Sequence, residues 1–440
     1  MRFSDSIVAL SSGKLPAGVA VVRLSGSRTR FAVETIAGKS APERTASLRK
    51  LRQTDGSLID TGLVIFFAGP TSFTGEDVAE FQVHGGKAVV AALLQALTAI
   101  EGIRHAEPGE FTRRAFLNGK LDLVETEALA DLINAETESQ RRFALLNAGG
   151  AQSELYEGWR RQLIHARAMI EAEIDFADED DIPGSVLEAV WSGMRKLSSD
   201  IATHIDGFHA GEIIREGFDV VILGAPNAGK SSLFNALAKR EAAIVSDEPG
   251  TTRDLIEVAL DLHGLKVRLT DTAGLREQAG TVEGIGIKRA KERAESADLI
   301  VLLQDMTIAP PDIELPEGAR ALRIGTKVDL LAEEEQGKEA EFDLVVSGRT
   351  GQGLDKLLER LGELAERAAA SAGDLLPTRL RHMELLNEGK AFIERALSGT
   401  DLELQAEDLR LAGERLGRIV GAVDVEDLLD VIFSQFCIGK

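Results

Sequence analysis

The stretch GAPNAGKSS, Gly224–Ser232, follows the apolar run FDVVIL and opens the segment SSLFNALAK. It carries the spacing G-x-x-x-x-G-K-S between a strand-like and a helix-like segment, the setting in which this pattern forms a phosphate-binding loop. Small residues let the backbone wrap phosphate oxygens. The N–H groups from Asn227 to Ser232 and the start of the following helix then supply positive potential. Lys230 neutralises the β- and γ-phosphates, and the Ser231 hydroxyl reaches Mg²⁺. Asn227, Ala228, Gly229, Lys230, Ser231 and Ser232 are therefore expected nucleotide contacts.

Working outward, the chain alternates strand-like and helix-like runs from Gly217 to about Leu364. FDVVIL, KVRLTD, DLIVLL, ALRIGT and FDLVVS are mostly apolar, with helical segments between most of them. That alternation predicts an α/β domain with a parallel sheet covered on both faces. Three further elements follow the loop in order. PGTTRD, Pro249–Asp254, is similar to a first switch, where a Thr closes onto Mg²⁺ (Thr251 and Thr252 are the candidates). DTAG, Asp271–Gly274, ends a strand and places Asp271 near the metal, with Thr272, Ala273 and the Gly274 amide toward the γ-phosphate. TKVD, Thr326–Asp329, ends another strand; its carboxylate can accept hydrogen bonds from guanine N1 and N2, which adenine cannot offer, and Lys327 lies beside it. SGRTGQG, from Ser347, is similar to the loop that closes over the base through Ser347, Gly348 and Arg349. Four elements in one order predict GTP binding and hydrolysis to GDP and phosphate.

Two positions depart from the usual pattern. The base-reading motif starts with Thr326 rather than Asn; Thr is shorter and lacks the amide, so weaker bracing of the phosphate loop is expected. The residue after DTAG is Leu275, where Ras-like switches carry the Gln that orients the attacking water. Another group must take that role.

Composition bounds the rest. The 440 residues allow two to three domains. The apolar runs are shorter than the ~18–20 residues that span a bilayer. The start of the chain lacks a basic segment followed by a long apolar core, so no signal peptide or membrane anchor is expected. One cysteine, Cys437, forms no internal disulfide, and with seven scattered histidines a zinc site is not expected. A reducing cytoplasm is the simplest compartment. The net charge of −22 argues against broad nonspecific nucleic-acid binding. Arg113–Arg114, Arg141–Arg142 and Arg160–Arg161 read as solvated helix faces.

Before the nucleotide loop, GVAVVRLSG, GLVIFFAG and DVAEFQVHGG read as strands, and KAVVAALLQALTAI as a helix. Residues 1–118 are thus an expected α+β domain. Helical periodicity follows over 119–215, interrupted by the acidic DFADEDDIP, which reads as a solvated loop in preference to a metal site. The α/β domain is expected over 216–372, and helix resumes over 373–440. The predicted architecture is an α/β domain inserted into an all-α domain, preceded by the α+β domain.

Across this whole length the chain resembles the MnmE (TrmE) family of tRNA-modification GTPases. The resemblance rests on GAPNAGKSSLFNAL, AAIVSDEPGTTRD, DTAGLR with EGIGIKRA, FTGEDVAEFQVHGG, PGEFTRRAFLNGKLDLVETEALADLI and the terminal FSQFCIGK. It implies an N-terminal folate-binding-like domain that dimerises, followed by a Ras-like (P-loop) G domain inserted in the helical domain. It implies a homodimer that acts with an FAD-dependent partner, MnmG, on carbon 5 of the wobble uridine (U34) of certain tRNAs. The one-carbon unit would come from a tetrahydrofolate such as the 5-formyl or methylene derivative. The implied folate contacts are Arg23, Glu80, Lys120 and Lys440. The resemblance also answers the missing Gln. Asn227 would hold K⁺ together with main-chain oxygens at Ser246 and Glu248 and with Thr251, and Glu283 would orient the water, with Arg276 as the next candidate. Ser231 and Thr252 would hold Mg²⁺.

Bland readings stand beside these. Asn227 is also an ordinary turn residue, Glu283 suits a helix start, and Glu80 and Lys120 could form a surface pair. Cys437 reads either as a packed side chain or as a thiol beside a proposed ligand. A ribosome-assembly GTPase switch without folate chemistry is the alternative function, and a folate-binding scaffold with an inactive G domain is a third; folate binding and hydrolysis discriminate them.

Overall fold

The computed structural model describes all residues except 1–2, 40, 176–184, 241, 245–255, 272–292, 309–312, 314, 332–338, 371–374, 423–428, 430–431, 434–435, 437–438 and 440. The chain divides into two compact units, one of Met1–Ala130, Asn147–Met194 and Ala391–Lys440, the other of Asp131–Leu146 and Arg195–Lys390.

The first unit opens with a mixed sheet. Its strands are β1 (Ser6–Leu10), β2 (Ala17–Ser25), β3 (Ser47–Arg52), β4 (Leu58–Phe67), β5 (Val78–Gly85) and β6 (Ile103–His105), in the order β3-β4-β5-β2-β1-β6. All neighbours are antiparallel except β1 with β6. Alternation decides the faces: Ala20, Val22 and Leu24 of β2 are buried with Val64 and Phe66 of β4. They pack against α1 (Thr29–Ala37) and α2 (Lys87–Thr98), which supply Ala32, Val33, Ile36, Leu93 and Leu97. Arg23 and Glu80 fall on the opposite face, as period two requires. The three strands read from sequence are β2, β4 and β5; β1, β3 and β6 add to them.

Helix α3 (Glu110–Leu117) covers part of that opposite face, where Phe111 packs with Ile7 and Ala9. Arg114 on α3 is not a solvated residue, as its sequence pattern suggests. Its guanidinium is buried and donates to Asp5 and Glu110, both at 2.9 Å, with Glu76 at 3.3 Å. A buried cation survives only with such partners. Arg141 and Arg160 do sit on exposed or half-exposed helix faces, paired with Glu138 and Glu157.

Helices α4 (Leu123–Asn134), α5 (Glu138–Ala148), α6 (Ala151–Asp175), α7 (Ser185–Asp206) and α8 (Phe208–Glu216) follow. The acidic stretch between α6 and α7 lies almost wholly outside the described residues.

In the second unit β7 (Phe218–Gly224) leads through the phosphate loop into α9 (Lys230–Leu237). Strands β8 (Ile256–Leu262), β9 (Leu265–Asp271), β10 (Leu299–Asp305), β11 (Ala321–Thr326) and β12 (Leu344–Val346) complete a sheet ordered β12-β11-β10-β7-β9-β8. The expected parallel sheet is therefore mixed: β8 joins antiparallel through a tight turn at His263–Gly264, both at positive φ. The central strands are buried, and α8, α9 and α10 (Leu354–Ala369) contribute to one core with them that includes Ile213, Leu233, Phe234 and Leu361. Helices α11 (Leu380–Ser398) and α12 (Leu402–Val420) follow.

His204 of α7 and His382 of α11 are buried in the second unit. Burial, and then the neighbouring His382, push the His204 imidazole from 6.5 down to about 4. The unfolded chain therefore binds the proton first as pH falls. The contribution of neutral His204 is complete above pH 6.5 and is lost between there and pH 4, by about 3 kcal/mol at the limit. We predict a falling unfolding temperature across that window, followed by calorimetry, and a flatter fall for His204→Leu. Equal slopes in the two proteins contradict this.

Candidate functional site

The parallel strands aim their carboxyl ends at one rim, where α/β sheets bind ligands. β7 is central, between β9 and β10, so the phosphate loop starts from the most constrained strand. At Gly224 an added Cβ would lie 2.8 Å from the Leu303 carbonyl oxygen, which explains the glycine. Asn227 takes φ 64° and Gly229 φ 92°, the left-handed turns that fold the loop back to the helix start. Lys230 is buried, and its Nζ donates to the carbonyls of Gly224 and Ala225, both at 2.8 Å. Its ammonium is held at the loop from which it would meet phosphate.

β9 runs parallel to β7 with Ile222 opposite Asp271, so Asp271 ends its strand beside the loop. It is 1% exposed. A carboxylate there suits Mg²⁺ together with the exposed Ser231.

Thr326 does brace the loop, although it is shorter than Asn. Its hydroxyl donates to the Ala228 carbonyl at 2.8 Å and lies 3.2 Å from the Gln304 carbonyl. The hydroxyl reaches because β11 and the loop pack closely: a Cβ on Gly229 would be 3.5 Å from Thr326 Cβ. Thr326→Val keeps the shape and deletes the donor. We predict a loss of GTP affinity of about 1 kcal/mol, roughly five- to tenfold, measured by fluorescent-nucleotide titration. Unchanged affinity contradicts the bracing role.

Lys327 has φ 60° and pairs with Asp305 at the end of β10, Nζ–Oδ2 2.5 Å. Burial raises the Asp305 pKa, but the bonds from Lys327 and Thr307 outweigh it and hold the carboxylate below the usual range. Sequence reasoning missed Asp305. The available signal was an acid terminating a buried apolar strand at the ligand rim. Asp329 follows in a short 3₁₀ turn, Val328–Leu330, half-buried at the same rim. Ser347 is fully buried, and its Oγ accepts from the amides of Arg349 and Thr350 at 3.3 and 3.1 Å. Gly348 is needed because a Cβ would lie 3.0 Å from the Ser232 backbone at the start of α9. The structure therefore gathers Asn227, Ala228, Gly229, Lys230, Ser231, Ser232, Asp271, Thr326, Lys327, Asp329, Ser347, Gly348 and Arg349 along the loops of one sheet. Ser246, Glu248, Thr251, Thr252, Thr272, Ala273, Gly274 and Glu283 lie outside the described residues.

A second constellation occupies the first unit. Arg23 and Glu80 stand opposite each other in the β2–β5 register. Arg23 donates to Glu80 Oε1 through Nε at 3.1 Å and Nη2 at 2.9 Å, so Oε2 can accept from a further donor. The rings of Phe73 and Phe111 each lie 5.8 Å from the guanidinium. Glu80 is thus paired with Arg23 and not with Lys120. Lys120 is exposed, and its chain stacks on Gly75, where a Cβ would come within 3.3 Å of it. Lys440 and Cys437 lie outside the described residues. Their neighbour Gly439 accepts a 2.7 Å bond from Ser11, whose own amide donates to Val21. Gly439 is thus tied to Ser11, whose amide bonds the strand that carries Arg23. Phe73 and Phe111 were missed from sequence; each stands in a stretch, FTGED and PGEFTRR, that already stood out.

Comparison with known proteins shows the family. The family described as "GTP-binding protein TrmE N-terminus" matches residues 6–120, and "MnmE helical domain" matches residues 123–437. The chain is 66% identical to the tRNA modification GTPase MnmE of Mesorhizobium japonicum over 445 residues, covering all of both chains. It is 56% identical to that of Brucella anthropi over 440 residues, covering 99% of this chain and 98% of the other. Among solved structures, the G domain of the T. maritima FeoB iron transporter is similar over 34% of this chain and 98% of its own, at 27% identity and TM-score 0.25. With a G domain joined to both family-specific regions, the chain belongs to the MnmE family of tRNA modification GTPases.

Proposed function

We propose that this GTP hydrolase couples nucleotide turnover to one-carbon modification of carbon 5 of the wobble uridine in tRNA, in the cytoplasm and with the FAD-dependent partner MnmG. The observation that carries the folate half is the Arg23–Glu80 pair between Phe73 and Phe111. A pterin edge presents N–H donors suited to Glu80 Oε2, and the rings suit its flat face. Lys120 and Lys440 are cations suited to the carboxylate tail. The folate, as its 5-formyl or methylene derivative, supplies the one-carbon unit when bound. We assign this to a domain of residues 1–118, the G domain to 216–372, and the helical domain to 119–215 with 373–440. Exposed apolar Val19 and Phe73, near Arg23, favour a homodimer through that face.

In the G domain Lys230 binds the phosphates, Ser231 and Thr252 hold Mg²⁺ with Asp271 near it, and Asp329 reads guanine. Asn227 is exposed at the loop tip, where its side-chain oxygen can meet K⁺ together with Ser246, Glu248 and Thr251. Glu283 takes the water-orienting role that Leu275 cannot.

Titration of the full chain with 5-formyltetrahydrofolate in a calorimeter tests the folate site. Arg23→Ala should weaken binding by about 1.5–3 kcal/mol, the value of a charged hydrogen bond, with GTP hydrolysis as the folding control. No heat with the unmodified chain contradicts the folate reading and favours a G-protein switch without folate chemistry.

A further inference from the structure

The chain is strongly acidic, yet its charge is unevenly placed. Residues 39–52 hold five cations, Lys39, Arg44, Arg49, Lys50 and Arg52, against one acid, Glu43. The stretch ends in β3, the terminal strand of the first sheet. Glu43 bridges to Phe66 and the Arg44 amide donates to the Phe66 carbonyl, so Arg44, in a turn at φ 53°, leads into the edge strand that carries Arg49, Lys50 and Arg52. The three residue steps of strand from Arg49 to Arg52 span about 10 Å.

Lys39, Arg44, Lys50 and Arg52 are exposed. Within this edge the described ion pairing is a 3.8 Å contact of Arg44 with Glu43, and Arg52 turns to the Gly56 carbonyl. Elsewhere cations are consumed by neighbours: Arg114 by Asp5, Glu76 and Glu110, Arg141 by Glu138, and Arg160 by Glu157. Lys50 and Arg52 project from the same face about 6.8 Å apart, a separation that lets each meet a different phosphate. Edge strands are often charged merely to block self-pairing. Lysine serves that purpose in particular, yet a chain of net charge −22 gathers five cations against one acid here.

We propose that this β3 edge is a docking surface for the sugar–phosphate backbone of the tRNA substrate. The proposal rests on the tRNA reading given above and adds the place of contact. β3 stands three strands from β2, about 14 Å, so the folate pair stays clear of it. Phosphate contacts hold RNA in register without reading its sequence. The edge would grip the tRNA body and leave uridine selection to other contacts.

The test is binding of fluorescently labelled unmodified tRNA to the full chain, by anisotropy at several KCl concentrations. Lys50→Glu with Arg52→Glu should weaken binding at least tenfold at low salt. It should also flatten the plot of log affinity against log salt by about 1.5–2, because two counterion-releasing contacts are lost. Basal GTP hydrolysis should be unchanged, and Lys50→Gln with Arg52→Gln should show an intermediate loss. Arg141→Glu with Arg142→Glu, of equal charge change, should bind as the unmodified chain does. Equal affinity and slope for the β3 variant overturn the proposal, as does its self-association with tRNA binding intact, or an equal loss in the α5 variant. Failure of the unmodified chain to bind tRNA overturns this surface, whereas the tRNA reading itself falls only if the wobble uridine is fully modified in a strain lacking the protein.

Discussion

Asp329→Asn lowers GTP affinity by about 10²-fold or more and raises affinity for xanthosine nucleotides. Asp329 sits in the turn that closes β11, held there by Thr326 on the phosphate loop and by the Lys327–Asp305 pair. Its carboxylate only accepts hydrogen bonds, and guanine offers donors at N1 and N2. An Asn amide in the same place turns one acceptor into a donor and sets donor against donor. Losing two charge-assisted bonds of about 1.5–3 kcal/mol each accounts for a loss of that size. Xanthine carries an oxygen where guanine carries the N2 amine, so the same amide then finds a partner. Competition binding with guanosine, xanthosine and adenosine nucleotides checks this. ATP and GTP bound equally by the unmodified chain would remove the basis of the assignment.

Glu283→Ala slows hydrolysis by about 10²-fold while leaving GTP binding nearly unchanged, a barrier increase of about 2.7 kcal/mol. Orienting the attacking water matters in the transition state and not in the bound ground state, so the rate constant falls and the affinity does not. The same single-turnover assay in KCl and NaCl reads the second half of the account. Asn227 and the main-chain oxygens of Ser246 and Glu248 suit a large, weakly hydrated cation, so hydrolysis in NaCl should be slower. Equal rates in both salts contradict the potassium assignment. A full rate in Glu283→Ala moves the water-orienting role elsewhere, with Arg276 next to be tested.

The nucleotide site was legible because its chemistry lies in short contiguous stretches. GAPNAGKSS needs only the strand before it and the helix after it, and both carry clear periodicity. Thr326 shows the limit of that reading. From sequence its missing amide predicts a weaker brace; in three dimensions β11 approaches the loop closely enough for a hydroxyl to span the gap. Asp305 escaped because its meaning comes from Lys327, just past the end of the adjacent strand and 22 residues away.

The first unit was less legible for related reasons. β3 reads SLRKLR, which lacks the alternation of a half-buried strand, because an end strand packs little of its surface. β8 alternates visibly but joins antiparallel, which strand–helix order alone cannot reveal. Arg114 reads like any helical arginine until Asp5, Glu76 and Glu110 are brought around it from 109, 38 and 4 residues away. The Arg23–Glu80 pair likewise depends on a strand register spanning 57 residues.

The central claim joins GTP turnover in one unit to tRNA modification by the whole chain. The direct measurement is mass spectrometry of the wobble uridine in tRNA from a strain lacking this protein, complemented by the unmodified chain or by Lys230→Ala. Lys230 is tied to the loop by two carbonyls and would bind the phosphates, so its removal should abolish hydrolysis while the Arg23–Glu80 pair stays intact. We predict carbon-5-modified uridine with the unmodified chain and its absence with Lys230→Ala and with no complementation. Full modification in the deletion strain, or in Lys230→Ala once that variant is shown not to hydrolyse GTP, would contradict the account.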